Sequence, residues 1–234
     1  MPTPAPAPPA REVPFGEVPT GDLHAGLTED FKRWALEACT PQSLVLDAGC
    51  GEGRVAFFLA PHAKRVVAVD KDAKAIEAGK QRARQLGLAN VEFHGVDAER
   101  GPLAPLVPGG AELVVANLFL SKAVVERAHD ALRAGGAFVF TGFGPRQWQE
   151  ARGSPFAHTE ADVRGWLAGA HFKVEDLKVE DTRVKFREIA EVRSYLGEDT
   201  VQKWLGDGRW DALVASFQKS KTLTESRLTG RARR

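Results

Sequence analysis

From residue 43 to residue 142, apolar and polar positions fall into blocks that recur in one order. Ser43 to Leu46, Val66 to Val69, Asn90 to Val96, Ala111 to Asn117 and Ala137 to Gly142 are short, mostly apolar runs, the pattern of strands buried on both faces. Between them the period becomes helical. Arg54 to Ala60, Asp72 to Leu86 with Gly87 as stop signal, and Ala123 to Leu132 before Arg133-Ala-Gly-Gly136 are the helices expected. Only Arg100 to Gly110 interrupts the alternation, and its prolines predict a short turn. An earlier helix over Leu27 to Cys39 sets Leu27, Phe31, Trp34 and Ala38 on one face, with Thr28 as its cap. Strand and helix in turn predict an α/β fold with a doubly wound, mostly parallel sheet whose ligands sit at the carboxyl ends of the strands.

Past Gly142 the pattern weakens. Thr159 to Ala168 reads as a helix and Phe172 to Lys178 as a sixth strand. Ile189 to Leu196, Val201 to Leu205 and Trp210 to Phe217 read as helices with Gly206 and Gly208 between them, and Thr222 to Thr229 as a last, antiparallel strand. The expectation is a seven-stranded sheet in one domain over 22–234, with a helical cap or insertion around 187–218. Before it, residues 1–21 are rich in proline and alanine and hold half of the chain's 14 prolines, a composition that packs no core, so a disordered or extended tail is expected there.

Composition changes this picture little. The length of 234 residues and a charged fraction of 27% fit one ordinary globular domain, and a net charge of +1 gives no whole-chain attraction to nucleic acid or membrane. The cysteines, Cys39 and Cys50, are expected to be free thiols, since Cys50 lies in a glycine loop where a disulfide is hard to fit. With no apolar run of membrane-spanning length and no basic start followed by an apolar stretch, the expected location is cytoplasmic. Metal spacings, a phosphate-loop lysine and a glycine-flanked serine elbow are absent from the sequence, so no metal site is expected.

The chemistry gathers at the strand ends. Leu44-Val-Leu-Asp-Ala-Gly-Cys-Gly-Glu-Gly-Arg54 joins a buried strand to a carboxylate and to Gly49, Gly51 and Gly53, which let the backbone turn tightly against a ligand. A dinucleotide fingerprint would place glycine where Arg54 stands. Val66-Val-Ala-Val-Asp70 and Asn90-Val-Glu-Phe-His-Gly-Val-Asp97 end in carboxylates as well. Together these resemble motif I and the following strands of the class I S-adenosylmethionine-dependent methyltransferases, over roughly Ser43 to Ala98. The resemblance implies a Rossmann-like domain binding S-adenosylmethionine and releasing S-adenosylhomocysteine. It places Asp47, Ala48, Gly49, Cys50, Gly51 and Gly53 at the cofactor loop. Asp70, followed by Lys71, matches the ribose position, where a carboxylate accepts both hydroxyls of a vicinal diol. Asp97 and the Ala98 amide match the adenine position.

Val115-Ala-Asn-Leu-Phe-Leu120 occupies the place of motif IV, putting Asn117 and Leu118 beside the transferable methyl group. Val114 to Phe143 also resembles the corresponding part of ribosomal-protein lysine methyltransferases, which hints at an amine acceptor. Asn117 either meets the acceptor or satisfies nearby backbone groups. Transfer from a sulfonium is in-line displacement, in which positioning supplies on the order of 7–11 kcal/mol. An acceptor that must lose a proton would need a base, and His158, in the loop after the fifth strand, is the candidate beside His24 and His94; His129 sits mid-helix. Trp148 and Phe156 either wall an acceptor pocket or anchor their loop, and His24 and Phe31 either line the cofactor or pack on the sheet. Trp204, Trp210 and Phe217 fit a helical core equally well. Lys219, Lys221, Arg227, Arg231, Arg233 and Arg234 make the carboxyl end basic, as a solvated tail or a contact for RNA or ribosome. The reading favours methyl transfer to a small molecule. A protein amine or RNA as acceptor, and a cofactor-binding module without turnover, are the alternatives.

Overall fold

The computed structural model describes residues 11–15 and 25–234. Its strands are β1 (Arg11–Pro14), β2 (Leu44–Ala48), β3 (Arg65–Asp70), β4 (Val91–Gly95), β5 (Ala111–Asn117), β6 (Leu132–Phe143), β7 (Lys173–Lys185) and β8 (Thr222–Arg233). The helices are α1 (Glu29–Ala38), α2 (Arg54–Leu59), α3 (Ala73–Gln85), α4 (Lys122–Ala131), α5 (Glu160–Gly169), α6 (Ile189–Leu196), α7 (Glu198–Asp207) and α8 (Arg209–Ser220). They fall into two compact units, and β7 and β8 each run through both.

The larger unit comprises 25–142, 158–178 and 228–234. Its strands lie in the order β7-β8-β6-β5-β2-β3-β4. Pairing from β6 through β5, β2 and β3 to β4 is parallel. Gly135 N–H donates to the Arg234 carbonyl and Arg234 N–H to that of Gly136, which sets β8 antiparallel to β6. Consecutive residues of the central strands are all buried, as in Val66, Val67, Ala68 and Val69, because helices cover both faces. One face packs Phe31, Trp34, Leu59, Ile76 and Phe93 against Val66, Leu113 and Val115. Each large side chain buried there contributes about 1.5–3 kcal/mol. The helix ends follow the sequence signals. Thr28 accepts the Phe31 N–H, Asp72 those of Lys74 and Ala75, and Thr159 and Asp162 form a capping box on α5.

The smaller unit comprises 143–157, 179–227 and, of the described residues, 11–15. Its strand order is β1-β7-β8, and α6 to α8, the helices expected at 187–218, pack with it around Tyr195, Val201, Trp204, Leu213 and Phe217. Trp204 and Phe217 are therefore core, with Trp210 against them. Among the described residues β1 corrects the expected strand number from seven to eight. It pairs parallel with β7, Arg11 opposite Thr182, and Phe15 anchors it with its ring 5.1 Å from that of Phe186. These residues lie in the proline-rich stretch expected to form no core; the rest of that stretch, like His24, lies outside the described residues.

β6 ends at Phe143, leaving the Thr224 and Ser226 amides of β8 without a strand partner. Side chains replace it, as Glu150 accepts the Thr224 N–H at 2.9 Å and Gln147 the Ser226 N–H at 2.7 Å. Beneath them Glu225 is fully buried and accepts from Gln147 Nε2, Trp148 Nε1 and Tyr195 OH while pairing with buried Arg227 at 2.6 Å. Trp148 is held in this network and 5.1 Å from the ring of Trp204.

The basic carboxyl end is strand, not tail. Arg231 pairs with Glu37, Glu175 and Asp176, Arg233 with Glu175, and Arg234 donates to the Leu132 carbonyl. Lys221 lies over the Phe217 ring. No helix among the described residues is long and apolar enough to cross a membrane.

Candidate cofactor and acceptor site

Within the larger unit, β2 has β5 on one side and β3 on the other, so the connections leaving β2 and β5 part at their carboxyl ends and create the crevice where such folds bind ligands. Pairing sets Asp47 opposite Val115, Ala48 opposite Val69, Asp70 opposite Gly95 and Asn117 opposite Thr141, which ranges the expected acids and amide along one edge.

The loop after β2 is tied down from the β3 side. Gly49 and Cys50 both donate their N–H to the Val69 carbonyl at 2.9 Å, and Gly51 donates to Asp70 Oδ2 at 2.9 Å. Gly49, Gly51 and Gly53 have φ of +73°, +52° and +92°, the left-handed region that favours glycine. They differ in surroundings. A methyl group on Gly49 would overlap the Phe119 ring and one on Gly53 the Phe93 ring, whereas one on Gly51 would meet nothing within 4 Å. Open space over a left-handed glycine beside two carboxylates is a cradle into which a ligand can approach the backbone.

Asp47 is 1% exposed, and its Oδ2 has no hydrogen-bond partner. Burial pushes its carboxyl up to about 7, against the Ala56 N–H that lowers it and with Asp70 adding repulsion. The same burial, with the charges of Asp47 and Asp70, pushes the Cys50 thiol up, so it is no nucleophile. An unpaired buried carboxylate oxygen suits a cation. Asp70 spends one acceptor position on Gly51 and another on the Asp72 N–H at 2.9 Å, and a carboxylate has about four, so acceptor capacity for a diol remains. Asp97 Oδ1 caps its own turn through the Glu99 N–H at 3.0 Å, next to buried Ala98. These features fit an adenosyl cofactor that carries a positive charge. Lys71 is exposed at the turn after Asp70.

At the end of β5 the Asn117 Nδ2 donates to the Ala25 carbonyl at 2.5 Å, and its Oδ1 is buried without a partner. Half of the amide thus serves the backbone and the other half is unspent. Leu118 has φ +53°, a conformation that costs a non-glycine residue on the order of 1 kcal/mol, and its N–H is held by the Thr141 carbonyl at 2.7 Å. His158 Nε2 lies 3.1 Å from the Leu120 carbonyl, with its ring edge-on to Trp166. A carbonyl only accepts, so Nε2 carries the proton and Nδ1 the lone pair a base needs. His94 instead neighbours Glu92 at 3.6 Å, and His129 packs edge-on to Phe172. Phe31 is fully buried in the core and Phe156 is 68% exposed. Leu118 meets Gly26 and Thr141, and Phe119 meets Gly49, without any signal in the local sequence, because these contacts join segments far apart in the chain.

A model of the methyltransferase domain family matches residues 40–200. The ribosomal protein L11 methyltransferase of Symbiobacterium thermophilum is 32% identical over 149 residues, which is 62% of this chain and 44% of that protein. An uncharacterized RNA methyltransferase of Halalkalibacterium halodurans is 44% identical over 61 residues, 26% of this chain and 13% of that protein. The chain thus spans less than half the length of these relatives. Among solved structures, the YcgJ protein of Bacillus subtilis superposes with a TM-score of 0.67 at 13% identity, over 88% of this chain and 99% of that one, which is a likeness of fold. With the matched family model covering more than half of its length and the glycine loop and strand-end acids set along one sheet edge, the chain belongs to the class I S-adenosylmethionine-dependent methyltransferases.

Proposed function

We propose that this protein binds S-adenosylmethionine at the β2, β3 and β4 ends and transfers its methyl group to a small-molecule nucleophile brought to the end of β5, in the cytoplasm. The carrying observation is the loop geometry, with an open left-handed Gly51 hydrogen-bonded to Asp70 beside the unpaired buried oxygen of Asp47. When bound, the cofactor supplies an activated methyl electrophile. The chain's own residues then bind and orient. Asp70 accepts the ribose hydroxyls and Asp97 with the Ala98 amide meets the adenine. Asp47 offsets positive charge, and Asn117 stands at the end of β5 to which the acceptor is brought. His158 Nδ1 takes a proton where the acceptor must lose one.

A small acceptor is favoured over RNA by the state of the arginines, since Arg227, Arg231 and Arg233 are paired with the chain's own acids rather than left for phosphates. A protein amine is the second reading, favoured by the relative named as a ribosomal protein L11 methyltransferase. Calorimetric titration with S-adenosylmethionine and, separately, NAD tests the assignment. Micromolar binding of the former alone is expected, followed by acceptor screening through release of S-adenosylhomocysteine; binding of NAD alone would overturn it. Binding without turnover on any acceptor would mark a non-catalytic module.

A further inference from the structure

The three side chains after Asn117 are each seated on a glycine from a different part of the larger unit. Leu118 lies against Gly26, Phe119 against Gly49 and Leu120 against Gly142, each so closely that a methyl group on the glycine would come within 3.0 Å of the side chain or overlap it. Leu118 turns the chain into this arrangement with its φ of +53°, fixed through its N–H to Thr141. We propose that Phe119 is a positioning residue that holds the cofactor loop in its binding shape by bearing on Gly49, so that the acceptor turn and the cofactor loop move as one.

The opposite side of the loop supports this assignment. Gly49 and Cys50 share the single Val69 carbonyl and Gly51 donates to Asp70, anchors that all tie the loop to β3 and leave its other side to be covered. The Phe119 ring provides the facing surface. Phe119 is only half-buried and does not belong to the buried core, so its ring is placed for the loop rather than for core packing. A strained residue next to it, at the sheet edge where ligands sit, is where stored backbone strain has a positioning use.

The inference rests on the cofactor reading above, and its test separates the two. Phe119→Ala, Phe119→Val and Phe119→Tyr are titrated with S-adenosylmethionine and with S-adenosylhomocysteine, and amide exchange of the ligand-free proteins is followed. Alanine and valine are expected to raise both dissociation constants at least tenfold and to speed exchange at Gly49 and Cys50 while β6 amides keep their rates. Tyrosine, which keeps the ring, is expected to stay within threefold. Should alanine fail to fold, valine carries the same expectation. Wild-type affinity and loop exchange in the folded alanine or valine variant would overturn the role of Phe119. Absence of binding to the wild-type protein would instead overturn the cofactor reading.

Discussion

Asp70 and Gly51 are joined by a 2.9 Å hydrogen bond from the glycine amide to the Asp70 carboxylate, which ties the end of β3 to the loop that follows β2. The residue expected to receive the ribose is therefore also a strut of the glycine loop. Both tasks need acceptor lone pairs, and an amide in its place presents a donor where two N–H groups already point.

Asp70→Asn should therefore weaken S-adenosylmethionine binding by roughly 1.5–3 kcal/mol, the worth of hydrogen bonds to a charged group. Calorimetry measures it, and unaltered affinity would refute the ribose assignment.

Asp47 predicts a pH dependence. Its carboxyl titrates near 7 in the fold, above its usual 3.8, so the native state holds a proton that the unfolded chain has lost. Stability is then full below the unfolded value and declines as pH rises from about 4 to about 7, at up to about 1.4 kcal/mol per pH unit. Urea titrations of the ligand-free protein across that range should show this slope, and Asp47→Asn should remove its share. Identical slopes in the two proteins would reject the buried-acid account.

Asn117→Ala should leave cofactor affinity within a few-fold of wild type and lower turnover on the acceptor, once one is identified, by removing the unspent Oδ1. It should also cost about 0.5–1.5 kcal/mol of stability through loss of the bond to Ala25. Unchanged turnover with intact cofactor affinity would leave Asn117 a backbone-satisfying residue alone.

In the smaller unit, Glu225→Ala strips the carboxylate from buried Arg227, Tyr195, Gln147 and Trp148. Breaking a buried pair in this way costs about 3–5 kcal/mol, to be read as a lowered urea midpoint. A loss below 1 kcal/mol would mean that the network relaxes around the gap.

What was legible in the sequence was local. Asp47, Asp70 and Asp97 close or follow apolar runs, and β2 to β5 pair as their buried pattern requires. β1 was illegible because Arg-Glu-Val-Pro has no apolar period and is held by Phe15 on Phe186, a contact no window of sequence contains. β6 begins at Leu132, not Ala137, because Gly135 and Gly136 pair with distant Arg234, although their composition reads as a helix stop. β7 runs past Lys178 to Lys185 on a largely polar sequence. The basic residues near the carboxyl end looked solvated since their acidic partners Glu37, Glu175 and Asp176 lie far away in sequence.

The place of β8 also bears on how the chain reaches its native state. It follows β6 and β7 in sequence yet lies between them, and the bond from Arg234 to Leu132 joins residues 102 positions apart. Closing so long a loop is entropically costly before any contact compensates, so insertion of β8 should be a late and slow step on the folding route. Until it occurs, β6 and β7 each expose an unpaired edge, which makes the species lacking β8 the one prone to aggregate.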